Sequence, residues 1–123
     1  MPKLLIVDDS RVFRLVTRRV VESLGFTTAE AEDGQQAVDY CKNSGPPDAV
    51  LLDIIMPVMD GMTCLRALRQ DPRMNRCAII MCSTQNSQEE IAEAIAAGAN
   101  EYVMKPYTEE ILRDKLRQVG LLE

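Results

Sequence analysis

Lys3-Leu4-Leu5-Ile6-Val7-Asp8-Asp9-Ser10 is the stretch from which the fold can be read. The unbroken aliphatic run from Leu4 to Val7 has no polar face, so a strand here must be covered on both sides, as strands of parallel sheets are. Two carboxylates follow at once. Ser10 then offers an N-cap hydroxyl to a helix in which Val12, Leu15, Val16, Val20 and Leu24 recur at helical spacing, the apolar set expected to face the core, until Gly25 stops it. A buried strand, a polar end and an amphipathic helix make the first unit of an α/β chain.

The unit recurs along the chain. Thr27 to Glu32 reads as a more polar strand nearer a sheet edge, Asp33-Gly34 as a turn, and Gln35 to Lys42 as a helix turning Ala37, Val38 and Cys41 inward before Gly45-Pro46-Pro47 breaks it. Asp48 to Leu52 is the third strand, Gly61 to Gln70 the third helix and Cys77 to Cys82 the fourth strand. Ser87-Gln88-Glu89-Glu90 matches a capping box and opens a fourth helix that ends at Gly98. Tyr102 to Met104 is the fifth strand and Thr108 to Val119 the last helix. Five strands alternating with five helices predict an α/β fold with a single doubly wound, five-stranded parallel sheet, because right-handed crossovers put helices on both faces. In such sheets ligands collect outside the carboxyl ends of the strands.

Bulk properties narrow the function. The 123 residues suit one domain, expected to span 1–123, and the 46% hydrophobic and 27% charged content excludes a disordered chain. A net charge of −5 argues against direct nucleic-acid binding, which needs a basic surface. Met1-Pro2-Lys3 runs straight into the first strand with no leader, and no apolar run approaches bilayer length, so a cytoplasmic protein without membrane insertion is expected. Cys41, Cys64, Cys77 and Cys82 form no C-x-x-C pair and read as buried thiols; the absence of histidine rules out histidine triads and phosphohistidine on this chain.

The strand ends supply the chemistry: Asp8 and Asp9 after the first, Asp53 after the third, Ser83 and Thr84 after the fourth, Lys105 after the fifth. Singly, an Asp-Asp pair is as readily a helix cap and a lysine before proline a surface group. Together on one sheet edge they make a site. Three carboxylates in one pocket repel each other unless a cation intervenes, and a hard oxygen-seeking ion such as Mg²⁺ answers that need. A metal, a lysine and a hydroxyl can grip phosphoryl oxygens while one carboxylate attacks.

Val7-Asp8-Asp9, Leu52-Asp53 followed by Met56-Pro57-Val58-Met59-Asp60-Gly61, then Ser83, then Lys105-Pro106 resemble the signature of the two-component response-regulator receiver family, most of all its stand-alone CheY-like members. The likeness covers essentially the whole chain. It implies a flavodoxin-like strand order 2-1-3-4-5. It also implies that Asp53 is the phosphoacceptor, that Asp8, Asp9, Asp53 and the backbone carbonyl of Ile55 hold Mg²⁺, and that Lys105 pairs with the phosphoryl oxygens beside a cis Pro106. Ser83 becomes the switch hydroxyl and Tyr102 the aromatic switch, although an amphipathic surface residue is the plainer reading of Tyr102. Ile55, Thr84 and Gln85 become residues that tune donor access and phosphoryl lifetime; Thr84 stands where a smaller residue is common, and Gln85 could orient a water.

The implied role is that of a signalling switch and not an enzyme in its own right, fed by a sensor histidine kinase or a histidine phosphotransfer protein. Output is expected through a downstream protein docked on the fourth helix, fifth strand and fifth helix, with Ile91, Ile95, Asn100, Tyr102, Met104, Ile111 and Lys115 as its residues and Ile95 assigned to the core. A monomer is expected, with a dimer on phosphorylation. Chemotaxis is the first pathway in view; a relay intermediate, a phosphate sink or a receiver excised from a transcriptional regulator are alternatives, the close of the last helix at Glu123 favouring a stand-alone protein. Arg11, Arg14 and Arg18 form one stripe on the first helix, read as a solvated face with kinase docking as the sharper alternative. A haloacid-dehalogenase-type phosphatase fails because Ile55 stands where its acid/base aspartate is needed. A P-loop enzyme fails for want of G-x-x-x-x-G-K-[ST], and a flavin carrier for want of aromatic side chains.

Overall fold

Alternate residues of each central strand face opposite helical layers, and this period of two builds the molecule. The computed structural model describes residues 2–85 and 87–123. Its strands β1 (Lys3–Val7), β2 (Thr27–Ala31), β3 (Ala49–Asp53), β4 (Ala78–Ser83) and β5 (Glu101–Met104) are parallel and pair in the order β2-β1-β3-β4-β5. Between and after them run α1 (Arg11–Ser23), α2 (Gly34–Ser44), α3 (Gly61–Arg69), α4 (Gln88–Ala96) and α5 (Glu109–Gln118), with one 3₁₀ turn at Pro72–Met74. The expected architecture and strand order hold.

On one face Leu5, Val7, Val50, Leu52, Ile79 and Met81 pack under α2, α3 and α4; on the other Leu4, Ile6, Leu51, Ile80 and Val103 pack under α1 and α5. Truncating one such buried Leu or Ile to Ala typically costs about 2–5 kcal/mol. The polar strand β2 lies at the sheet edge, as its composition predicts. Every helix opens on a side chain that accepts from the main chain: Ser10 from Phe13, Asp33 from Gln36, Asp60 from Thr63, Ser87 from Glu90 and Thr108 from Ile111. Gly61 begins α3 hard against the sheet, its N–H donating to the Ile54 carbonyl at 2.7 Å. A Cβ there would overlap the Asp53 carbonyl, so the close approach requires glycine.

Three expectations need correction. The buried face of α1 is Arg14, Thr17 and Val21, whereas Val12, Leu15 and Val16 are exposed. Their i, i+3 spacing fits either face, and partners for two polar residues settle which turns inward: Arg14 bonds the Asp8 carbonyl and Thr17 the Tyr107 hydroxyl. Arg14 is therefore absent from the arginine stripe. Ile95 is 47% exposed, because Ala94 takes the inward position on α4. Among the described residues no hydrogen bond from the Ser87 N–H to Glu90 closes the capping box; the Glu90 carboxylate accepts instead from the Tyr102 hydroxyl at 3.2 Å.

Candidate functional site

The carboxyl ends of β1, β3, β4 and β5 converge, and strand register brings their side chains together. Val7 pairs with Leu52 and Asp53 with Cys82, so Asp8, Asp53 and Ser83 follow one another across adjacent strands. Ser83 in turn pairs with Met104, and its carbonyl accepts from the Lys105 N–H at 2.8 Å. Asp53 and Ser83 are the last residues of their strands and not the first beyond them. Asp8, Asp53 and Ser83 are buried while Asp9 is exposed.

Oxygen atoms of Asp8, Asp9 and Asp53 all lie within 4.8 Å of one another. Lys105 Nζ reaches Asp8 Oδ2 at 2.6 Å and Asp53 Oδ2 at 3.3 Å, and the other Asp8 oxygen accepts from the Ser10 N–H at 2.8 Å. Burial pushes the Asp53 carboxyl above its ordinary value; Lys105 opposes the shift and Asp8 adds to it. Burial acts to lower the Lys105 pKa, but its hydrogen bond to Asp8 and the charges of Asp53 and Asp8 outweigh it and leave the ammonium stabilised.

One ammonium against three clustered carboxylates leaves an excess of negative charge, and all the donors are hard oxygens. That set fits a small divalent cation such as Mg²⁺. The Ile55 carbonyl accepts no hydrogen bond among the described residues. The Lys105–Pro106 peptide is cis.

Phe13 and Tyr107 complete the site, and neither was singled out from sequence. Lys105 Nζ lies 4.1 Å from the Phe13 ring centroid, and Tyr107 meets that ring edge-on at 5.4 Å while its hydroxyl bonds Thr17 at 2.9 Å. The aromatic at the third position of α1 was the available signal, masked by the exposed aliphatic residues around it.

On the β4 side, Ser83 Oγ accepts from the Gln85 N–H at 3.0 Å. The Tyr102 hydroxyl has one proton and two acceptors at 3.2 Å, the Gln85 carbonyl and the Glu90 carboxylate, which share it. Tyr102 is 8% exposed, so it is no surface residue of β5. Thr84, Gln85 and Ile55 are exposed around the rim. All four cysteines are free and buried, and burial raises their thiol pKa values, to about 11 for Cys41 and about 12 for Cys64 and Cys77. They are inert packing groups.

The response regulator receiver domain family matches residues 4–117. The chain belongs to the response-regulator receiver family. The chemotaxis protein CheY of Pseudomonas aeruginosa is 39% identical over 118 residues, covering 95% of this chain and 94% of that protein. Among solved structures, Vibrio cholerae CheY4 is similar with a TM-score of 0.91 at 31% identity, over 97% of this chain and 98% of that one. CheY of Borrelia burgdorferi, solved in a complex with CheX, BeF₃ and Mg, has a TM-score of 0.89 at 32% identity, over 95% and 87% of the two chains. The chain is thus a phosphoacceptor response regulator, a signalling switch related to chemotaxis proteins. Receivers of this kind bind Mg²⁺ at an acidic pocket and work between kinases and downstream proteins. Among the described residues no helix is long and apolar enough to cross a membrane.

Proposed function

We propose that Asp53 accepts the phosphoryl group and that Asp8, Asp9, Asp53 and the Ile55 carbonyl are the residues that hold Mg²⁺. The observation that carries this is the Lys105 bridge, one ammonium within 3.3 Å of both Asp8 and Asp53 beside the Asp9 carboxylate. When bound, the ion supplies positive charge that offsets the carboxylates and the phosphoryl oxygens. An Asp53 oxygen attacks phosphorus as the bond to the donor breaks, the donor's leaving group keeping that electron pair and taking a proton from solvent. Lys105, already aimed at Asp53, neutralises one phosphoryl oxygen.

Ser83 has its Oγ occupied as an acceptor from Gln85, which leaves its proton to donate to a phosphoryl oxygen. Turning the hydroxyl toward phosphate draws the Gln85 amide with it, and Gln85 carries the Tyr102 hydroxyl and through it Glu90 of α4. A charge change at Asp53 is thereby read out on α4 and β5, a two-state element biased by local electrostatics. Thr84 and Gln85, exposed at the rim, tune access and phosphoryl lifetime.

Residues 1–123 act as one receiver domain in the cytoplasm, fed by a histidine kinase or a histidine phosphotransfer protein and docking a target on α4, β5 and α5. Ile95, Met104 and Ile111 are exposed on these elements and suit such a face. The relatives' names make chemotaxis the favoured pathway. The test is intact mass after incubation with acetyl phosphate: one phosphoryl adduct on the wild type with Mg²⁺, none without it and none on Asp53→Asn. An adduct of equal yield on Asp53→Asn would remove the assignment.

A further inference from the structure

Arg14 is a charged side chain only 7% exposed, and none of its contacts is explained by packing alone. Its Nη1 donates to the Asp8 carbonyl at 2.6 Å, its Nε to Glu30 Oε1 at 3.0 Å, and its Nη2 lies 4.0 Å from Glu32 Oε1. The Asp8 N–H makes the last rung toward β2, donating to the Ala31 carbonyl at 3.1 Å. Strand β2 ends there, and among the described residues no main-chain N–H donates to the Asp8 carbonyl. The guanidinium takes that place and is itself anchored on β2 through Glu30. The carbonyl it holds belongs to the peptide plane that joins Asp8 to Asp9.

We propose that Arg14 is a positioning residue for the divalent-cation site: it fixes the Asp8–Asp9 peptide and so aims both carboxylates. The proposal rests on Asp8, Asp9 and Asp53 being the cation's ligands, as assigned above. Two effects of opposite sign separate it from simple electrostatics. Arg14 is a positive charge near a cation site, so charge alone makes its removal tighten binding. Positioning makes its removal loosen binding, by about 10- to 100-fold when a group that orients a ligand is lost. Lysine keeps the charge but lacks the planar fork that spans Asp8 and Glu30.

The experiment is Mg²⁺ titration calorimetry on the full chain, with the metal-free melting temperature of every variant recorded. Wild type binds and Asp9→Asn loses binding; a wild type that does not bind Mg²⁺ would overturn the ligand assignment itself. Given wild-type binding, Arg14→Met weakens affinity about tenfold and Arg14→Lys follows it. Affinity equal to or tighter than wild type in Arg14→Met would overturn the proposal. Should Arg14→Met not fold, Glu30→Ala against Glu32→Ala decides, since each removes one charge but only the first removes a hydrogen bond to Arg14. A larger loss in Glu30→Ala supports positioning, and equal losses overturn it.

Discussion

Lys105 Nζ stands 2.6 Å from Asp8 Oδ2 and 3.3 Å from Asp53 Oδ2, so one ammonium from the end of β5 ties the ends of β1 and β3 together. Both carboxylates are nearly buried, and removing their partner leaves uncompensated charge. Lys105→Met is expected to lower metal-free stability by about 3 kcal/mol. Mg²⁺ then restores more stability to the variant than it adds to the wild type. Urea unfolding with and without Mg²⁺ checks this, and an unchanged metal-free midpoint would contradict it.

Asp53 gives the opposite sign. Burial, the main cause, raises its folded pKa above 3.8. A carboxyl raised in the folded state stabilises the fold while protonated, and that contribution fades as pH rises through the folded value. Without metal, Asp53→Asn is expected to melt higher than wild type near neutral pH, the gap closing as pH falls toward 3.8. Thermal scans in chelator-treated buffer across that range decide it. A variant that melts lower at neutral pH would show the Lys105 pairing to outweigh burial.

Asp60 caps α3, and the Thr63 N–H leads the causes that hold its pKa below 3.8. A depressed carboxylate stabilises the fold above its unfolded pKa and loses that contribution as pH falls through the folded value. Asp60→Ala is expected to cost about 1 kcal/mol at neutral pH, as lost caps do, and less in acid. Denaturant midpoints at the two pH values measure the difference.

Val58 holds φ at 68°, in a region that β-branched residues avoid, and its side chain is 83% exposed. Such strain costs about 1–3 kcal/mol, partly offset in a glycine variant by about 1 kcal/mol of extra chain entropy. Val58→Gly should therefore gain about 1 kcal/mol, read as a higher melting temperature with phosphoryl acceptance retained.

The central strands were legible because they are short aliphatic runs closed by polar residues, and the starts of α1 and α4 announced themselves in the capping side chains of Ser10 and Ser87. Asp8, Asp9, Asp53, Ser83 and Lys105 were legible because parallel topology sends every strand end to one edge. What stayed hidden depended on partners distant in sequence. Val12, Leu15 and Val16 mimic a core face, and only the Asp8 carbonyl and the Tyr107 hydroxyl turn Arg14 and Thr17 inward instead. Ile95 outranks Ala94 in hydrophobicity, yet Ala94 takes the fully buried position on α4 and Ile95 stays 47% exposed. The Phe13 ring beneath Lys105 joins residues 92 apart, beyond the reach of any local pattern.

The central claim is that Asp53 carries the phosphoryl group, and the direct test is to mark the residue that carries it. Borohydride reduces an aspartyl phosphate to homoserine, so the Mg²⁺-dependent adduct would be reduced and the peptides sequenced by mass. The account predicts homoserine at position 53 and unchanged aspartate at positions 8 and 9. Homoserine at either of those positions, or a phosphoryl group that survives reduction on Ser83 or Thr84, would contradict it.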